Sequence, residues 1–341
     1  MAFLLGNGFT MDFVSQIRRA KPELASRINV GNIFSDGGVL RWPLDERPGF
    51  LSYKNSPHLW SIGARSYLRP EETIQLLERV VTCANVYSSR KGSVMSEKAG
   101  NGFLHAYREL VYYLKYLFIH YDSLVGPVTD YVRDWAWLSF IRQLNDDPEV
   151  EQVVVVTYNY DVWLERALME SGIQFGVPIL SVNPGAKFQI FKPHGSISYT
   201  HAKSLPRESF SINYNSMFND CPITEINVAY ENLGGHTPVN FLIPPAGEAG
   251  RSAITWAQAI RDEASKQLSE FGSGDLAIVC GLSYWHVDRA EIDLLLNSMH
   301  SAMNVVHLNP APSPTLDAVL NSLFVNYTHL ASSDLLIGYP A

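Results

Sequence analysis

The stretch from Val153 to Asp161, VVVVTYNYD, constrains the fold more than any other part of the chain. Four consecutive β-branched residues predict a strand buried on both faces, as in a parallel sheet covered by helices. The polar TYNYD that follows falls where such a strand ends. In open parallel α/β sheets, ligands bind just beyond the carboxyl ends of the strands, so an Asn and an Asp held there are well placed to meet one.

The N-terminus repeats this logic. Ala2 to Leu5 is a short apolar run that ends in Gly6-Asn7-Gly8-Phe9-Thr10, and Met11 to Ala20 then carries Phe13, Ile17 and Ala20 at helical spacing. Glycines at such a turn allow close approach of the backbone, and a helix N-terminus offers free N–H groups to a pyrophosphate. A tight strand-to-helix turn uses Gly for purely structural reasons as well, and a complete GxGxxG is absent. Asn29 to Tyr67 is rich in Gly, Pro, Asn and Ser and reads as a long loop. From Arg69 to Asn145 the pattern is helical, and the aromatic run from Phe103 to Tyr121 reads as inter-helix core.

Beyond the central strand, Val162 to Ser171 reads as a helix closed by Gly172. Strand-like runs follow at Ile179 to Val182 and Phe188 to Phe191, and the second leads into Lys192-Pro193-His194-Gly195-Ser196. A His between Pro and Gly after a strand is expected to be rigid and exposed, which suits an acid or base. Lys203 to Gly235 reads as a loop, Val239 to Ile243 as a strand and Ala253 to Phe271 as a helix. Leu276 to Cys280 is a buried strand ending in GLSYWHVD, followed by a helix to about Ser301. Asn304 to Leu308 is another strand, ending in Asn309-Pro310. The expected architecture is an α/β, Rossmann-like parallel sheet flanked by helices. Residues 1–30 and 150–341 supply the nucleotide-binding sheet and 31–149 a large loop and helical insertion. If the strands are adjacent and parallel, GNGFT, TYNYD, HGS, GLSYWHVD and HLNP converge on one rim, the place expected for a dinucleotide.

Charge narrows the partners. At 341 residues the formal net charge is −8, which argues against nucleic acid or an anionic membrane, since phosphate binding needs clustered Lys and Arg. Cys83, Cys221 and Cys280 form no CxxC pair, so neither a structural zinc nor a disulfide framework is expected. With no signal-peptide pattern and no long apolar run, the sequence reads as soluble and cytoplasmic.

In order along the chain, these motifs resemble the sirtuin superfamily, and within it the prokaryotic sirtuin-like NAD hydrolases. The Gly6–Thr10 loop is similar to the family's GAGxS, and Thr157-Tyr158-Asn159-Tyr160-Asp161 to its TQNID. His194-Gly195-Ser196 matches its His-Gly, Gly281-Leu282-Ser283 its G-(T/S)-S segment, and Asn309 its late strand-end Asn. Phe241 to Pro245 (FLIPP), Trp256 and the pair Ser283 and Asp288 resemble the sirtuin-like defence proteins. The chain departs from the deacylases in lacking both zinc-binding CxxC pairs, and the Asp-Phe at 12 and 13 lacks the following Arg.

The resemblance implies cleavage of the nicotinamide–ribose bond of NAD⁺, without a metal, in place of lysine deacylation. Asn159, which both donates and accepts, would hold a ribose hydroxyl and the attacking water, and His194 would take a proton. Gly6, Asn7, Gly8, Phe9 and Thr10 would cradle the pyrophosphate with help from Gly281 and Ser283. Asp12 would face the nicotinamide amide, Asp161 would brace the loop and Asn309 would meet the adenosine ribose. Such enzymes act as abortive-infection effectors in anti-phage defence. That implies a homo-oligomer or a separate regulator, such as a ring-forming translocase ATPase or an Argonaute-like protein. A silent NAD or ADP-ribose sensor and a zinc-free deacylase are the competing expectations.

Overall fold

The computed structural model describes residues 1–43, 47–89, 101–203, 210–212, 214, 221–234, 241–244, 254–286 and 288–339. The strands are β1 (Ala2–Leu5), β2 (Val153–Thr157), β3 (Phe175–Gly176), β4 (Phe188–Phe191), β5 (Tyr199–His201), β6 (Ile226–Val228), β7 (Leu276–Cys280), β8 (Asn304–Leu308) and β9 (Asn326–Leu330). The helices are α1 (Asn7–Ala20), α2 (Pro22–Ala25), α3 (Pro57–Ser61), α4 (Pro70–Ser89), α5 (Asn101–Val125), α6 (Thr129–Val132), α7 (Ala136–Asp146), α8 (Trp163–Glu170), α9 (Thr255–Leu268), α10 (Arg289–Ser298) and α11 (Pro314–Leu323). None of the described helices is long and apolar enough to cross a membrane.

The chain divides into two compact units, one of residues 1–26, 125–193 and 257–341, the other of 27–124 and 194–256. The first is the expected α/β, Rossmann-like domain: a seven-stranded sheet in the order β3-β4-β2-β1-β7-β8-β9, parallel throughout. Its central strands β1, β2, β4 and β7 are buried along their whole length, as their continuous apolar sequences require.

The boundary of the helical insertion differs from the 31–149 read in the sequence. Residues 129–146 belong to the sheet unit, and the segment there that reads as one helix is two, α6 and α7, separated at Trp135, whose backbone is extended. Aromatic packing accounts for the placement. Trp137 lies 5.5 Å from Phe3 and 5.1 Å from Phe9, and Trp135 lies 5.2 Å from Phe9 and 5.5 Å from Phe13. Large rings in these arrangements contribute about 0.5–1.5 kcal/mol a pair beyond their area burial. Ile179 to Val182, read as a strand, is a 3₁₀ turn at Pro178–Leu180 closed by a bridge between Val177 and Val182. Conversely, α11 and β9 extend the sheet beyond Asn309, where the mixed sequence NYTHL gives no alternating pattern to announce a strand.

The second unit is built on α5. Its aromatic face is core, as expected: Tyr113 sits 5.6 Å from Phe34 and 5.7 Å from Phe50, while Tyr116 packs at 5.6 Å from Phe50. The buried Glu109 of α5 accepts the backbone N–H groups of His58 (3.1 Å) and Leu59 (2.7 Å) and so satisfies the start of α3. Residues 194–256 join this unit through β5 and β6, an antiparallel pair. Trp256, with Phe241 at 5.9 Å and Tyr199 at 6.4 Å, is buried there. Pro245, Val239, Val287 and residues 204–209, 213, 215–220 and 235 of the expected loop lie outside the described residues, while the described part of that loop holds β6.

Candidate functional site

Register decides where the sequence motifs meet. Leu5 pairs with both Thr157 and Cys280, and Cys280 pairs with Leu308. The last residues of β2, β1, β7 and β8 therefore stand side by side, and the turns TYNYD, GNG, GLS and NP leave the sheet at one level. Three strand spacings separate the outer pair, about 14 Å. The chain leaves β1 toward β2 on one side and fills β8 and β9 on the other. The boundary between β1 and β7 is thus the topological switch point at which such sheets bind ligands.

At that boundary the two turns touch. Gly6 N–H donates to the Cys280 carbonyl (2.9 Å) and Gly8 N–H to the Gly281 carbonyl (3.1 Å). A Cβ on Gly8 would fall 2.4 Å from Gly281 Cα, and one on Gly6 2.6 Å from the Gly281 oxygen. Gly281 itself has φ +64°, a conformation that glycine adopts without strain. The glycines thus serve the contact of one βα turn with another, and the expected pyrophosphate turn is shorter than the sequence suggests. Gly6 caps α1 directly and the helix begins at Asn7, with Gly8, Phe9 and Thr10 inside it.

Two of the expected ligand groups are consumed by the fold. Phe9 is buried among Trp135 and Trp137. Thr10, also buried, donates its hydroxyl to Asp161 Oδ2 at 2.6 Å, while Asp161 Oδ1 accepts the Trp163 N–H at 3.2 Å. Asp161 is accordingly a brace between α1 and the entry to α8, and both of its carboxylate oxygens are occupied. The Asp161 carbonyl accepts from Lys192 Nζ, which also lies 2.7 Å from Glu165 Oε1. Burial raises the Glu165 carboxyl above its usual range despite the lysine beside it. Lys192 and Glu165 are the residues sequence reasoning passed over. Their only signal is an acid on the buried face of α8 and a lysine directly after a buried strand.

The groups left at the rim are Asn7, Asp12, Asn159, Ser283 and Asn309. Asn159 Nδ2 donates to the Gly6 carbonyl at 2.9 Å, fixing the amide against the β1 turn. Among the described residues nothing donates to its Oδ1. Asp12, half-buried on α1, accepts the Trp135 indole N–H at 2.8 Å through one oxygen. Asn7 and Ser283 are exposed. Asn309 is tied to its turn, Oδ1 accepting the Ala311 N–H at 3.0 Å and its carbonyl lying 2.8 Å from His329 Nε2. Burial, aided by the Asp12 charge, pushes the Cys280 thiol up, so it supplies no thiolate nucleophile to the rim.

His194 opens the last segment of the second unit and is buried, not exposed as its Pro-Gly setting suggests. The reason is local. Gly195, at φ +83°, bridges to Leu242, and a Cβ there would overlap the Phe241 carbonyl at 1.7 Å. The His194 carbonyl in turn accepts the Ile243 N–H at 2.9 Å. The next turn is closed by Ser198 Oγ donating to Ser196 Oγ at 2.8 Å. No protein-family model matches the chain, and no curated protein matches it either.

Proposed function

We propose that the chain is an NAD⁺ hydrolase of sirtuin-like type, releasing nicotinamide and ADP-ribose. The observation that carries the reading is the clamped amide of Asn159 at the rim: Nδ2 is committed to the Gly6 carbonyl, and Oδ1 is left as an acceptor that no described residue occupies. A preset acceptor at the carboxyl end of β2, one strand from the switch point, suits a ribose hydroxyl or an attacking water. It costs no reorganisation during reaction. Asp12, Asn7, Ser283 and Asn309 are the further polar groups offered along the same row of strand ends.

In the reaction, water attacks the ribose C1′ as the C1′–N bond breaks. Nicotinamide leaves with the bonding pair as a neutral amide, and the water's proton passes to a base. The leaving group is already cationic, so no acid is required, and stabilisation of positive charge on the sugar carries the rate. His194, next after Lys192-Pro193 in the chain, is the proposed base. In a cell such an activity depletes the cofactor, which fits an abortive-infection effector held in check by assembly or by a separate partner.

Purified protein incubated with NAD⁺, with and without an acyl-lysine peptide, tests the reading through nicotinamide release. Release without peptide, lost in Asn159→Ala and His194→Ala, supports the hydrolase. Tight NAD⁺ binding without release overturns it in favour of a sensor, and peptide-dependent release in favour of a deacylase.

A further inference from the structure

The last-formed edge of the sheet has the make-up of an interface between two copies of this chain. Among the described residues β9 is the terminal strand of the sheet, paired only with β8. Asn309 N–H donates to the Leu330 carbonyl, so Leu330, Thr328 and Asn326 turn their backbone groups toward β8. By the alternation of a strand, the N–H and C=O of Tyr327 and His329 point to the open side. Exposed strand edges are normally blunted by Lys, Pro, a bulge or a covering loop, because a free row of backbone groups invites pairing. The sequence of β9, NYTHL, carries neither Lys nor Pro, and Val325 at its start is 80% exposed.

The flank beside it is unusually free of charge. From Asn309 to Ser333 the only Asp, Glu, Lys or Arg is Asp317, whose side chain, 43% exposed, bonds the Tyr327 hydroxyl and lies 3.6 Å from His307 Nδ1. The outer side of α11 forms a shallow depression of about 500 Å³ lined by Pro314, Thr315, Ala318, Val319 and Ser322. A flank with a single carboxylate on a chain of net charge −8 points to a second copy as its occupant. Two like-charged copies repel wherever their charges approach, and they meet at least cost across the face that bears fewest.

We infer that two copies join across a two-fold axis near Thr328, β9 against β9 antiparallel, with the two α11 helices side by side. Antiparallel pairing of identical edges is self-complementary: Tyr327 of one copy and the second copy's His329 exchange both backbone bonds, and the symmetry repeats the exchange. The sheet then runs through both copies without an exposed edge at this end. This inference stands apart from the proposed chemistry.

Analytical ultracentrifugation at micromolar protein tests it with three variants. Ala318→Glu places like charges face to face on α11, and His329→Pro removes an outward N–H while keeping the backbone bonds of β9 to β8, at the cost of the contact between the His329 ring and the Asn309 carbonyl. Val39→Glu adds charge at a site of the second unit that is 70% exposed. The expected result is a wild type and Val39→Glu of twice the sedimenting mass of Ala318→Glu and His329→Pro. A monomeric wild type, or an assembly whose mass neither of the first two variants halves, overturns it. Ala318 is exposed on the helix surface, so its variant reports even if His329→Pro does not fold.

Discussion

Replacing Lys192 with Met tests how the TYNYD turn is held. Lys192 Nζ lies 2.7 Å from Glu165 Oε1, the two side chains are 2% and 1% exposed, and the same ammonium bonds the Asp161 carbonyl. Removing one partner of a buried ion pair leaves the other as an uncompensated charge, which costs about 3–5 kcal/mol. For a unit of this size that is a fall in Tm of roughly 6–20 °C. Changing both residues, Lys192→Met with Glu165→Leu, removes the stranded charge, and the double variant should recover most of the loss. The pH dependence supplies a second check. Burial already holds the Glu165 carboxyl above its ordinary range, and without the lysine it rises further, so folded Lys192→Met binds a proton that the unfolded chain gives up. Its stability deficit must therefore shrink as the pH falls toward the unfolded carboxyl value and grow above it. Urea unfolding at several pH values, followed by tryptophan fluorescence, reads both effects. A single variant within about 1 kcal/mol of wild type, or a double variant no better than the single one, refutes the account.

Three further outcomes follow from the same geometry. Asn159→Ala loses one hydrogen bond to Gly6, about 1 kcal/mol of stability, so a loss of nicotinamide release of 10²-fold or more marks a chemical role and a change under about twofold a bracing one. Gly8→Ala drives a Cβ to 2.4 Å from Gly281 Cα, where backbone faces backbone, and should cost about 1–3 kcal/mol in urea unfolding; Gly281→Ala should cost more, because φ is +64° there. Lys115, buried on α5 with Nζ 3.1 Å from the Tyr199 carbonyl, has its pKa lowered by burial to about 8. The unfolded chain therefore holds the proton to higher pH than the folded one. Stability should climb between about pH 8 and 10 by up to ~3 kcal/mol, and the difference between wild type and Lys115→Met measured across that window should carry the whole of this slope.

How much of this was legible in the sequence depended on the range of the interaction. VVVV and LAIVC announce buried strands because a run without polar residues has no solvent face, and their polar ends announce a rim. Which strands are neighbours, and in which register, is a property of the whole sheet, yet the short polar turns at the ends of β1, β2, β7 and β8 sufficed to anticipate their convergence. The seam between domains was harder to read. Trp135 and Trp137 follow a helical segment in sequence but pack on Phe3 and Phe9, more than a hundred positions away. The exposure expected for His194 failed for a similar reason, since Gly195 permits close approach of the Phe241 segment, not a free loop.

The same distinction separates the polar residues of the rim into two kinds. Thr10 and Asp161 look alike in the sequence to Asn7 and Asn159, each a small polar group beside a strand end. Thr10 and Asp161, 151 positions apart, satisfy each other in a buried bond. Asn159 donates to a carbonyl and keeps an acceptor that no described residue occupies, and Asn7 stays exposed at the first turn of α1. A hydrogen-bonding group already satisfied inside the protein has little to gain from a ligand, because binding would first have to break the internal bond. The capacity of this rim to meet a ligand therefore resides in the groups that folding left partly unspent, and Asn159 is the one among them whose amide folding has also clamped.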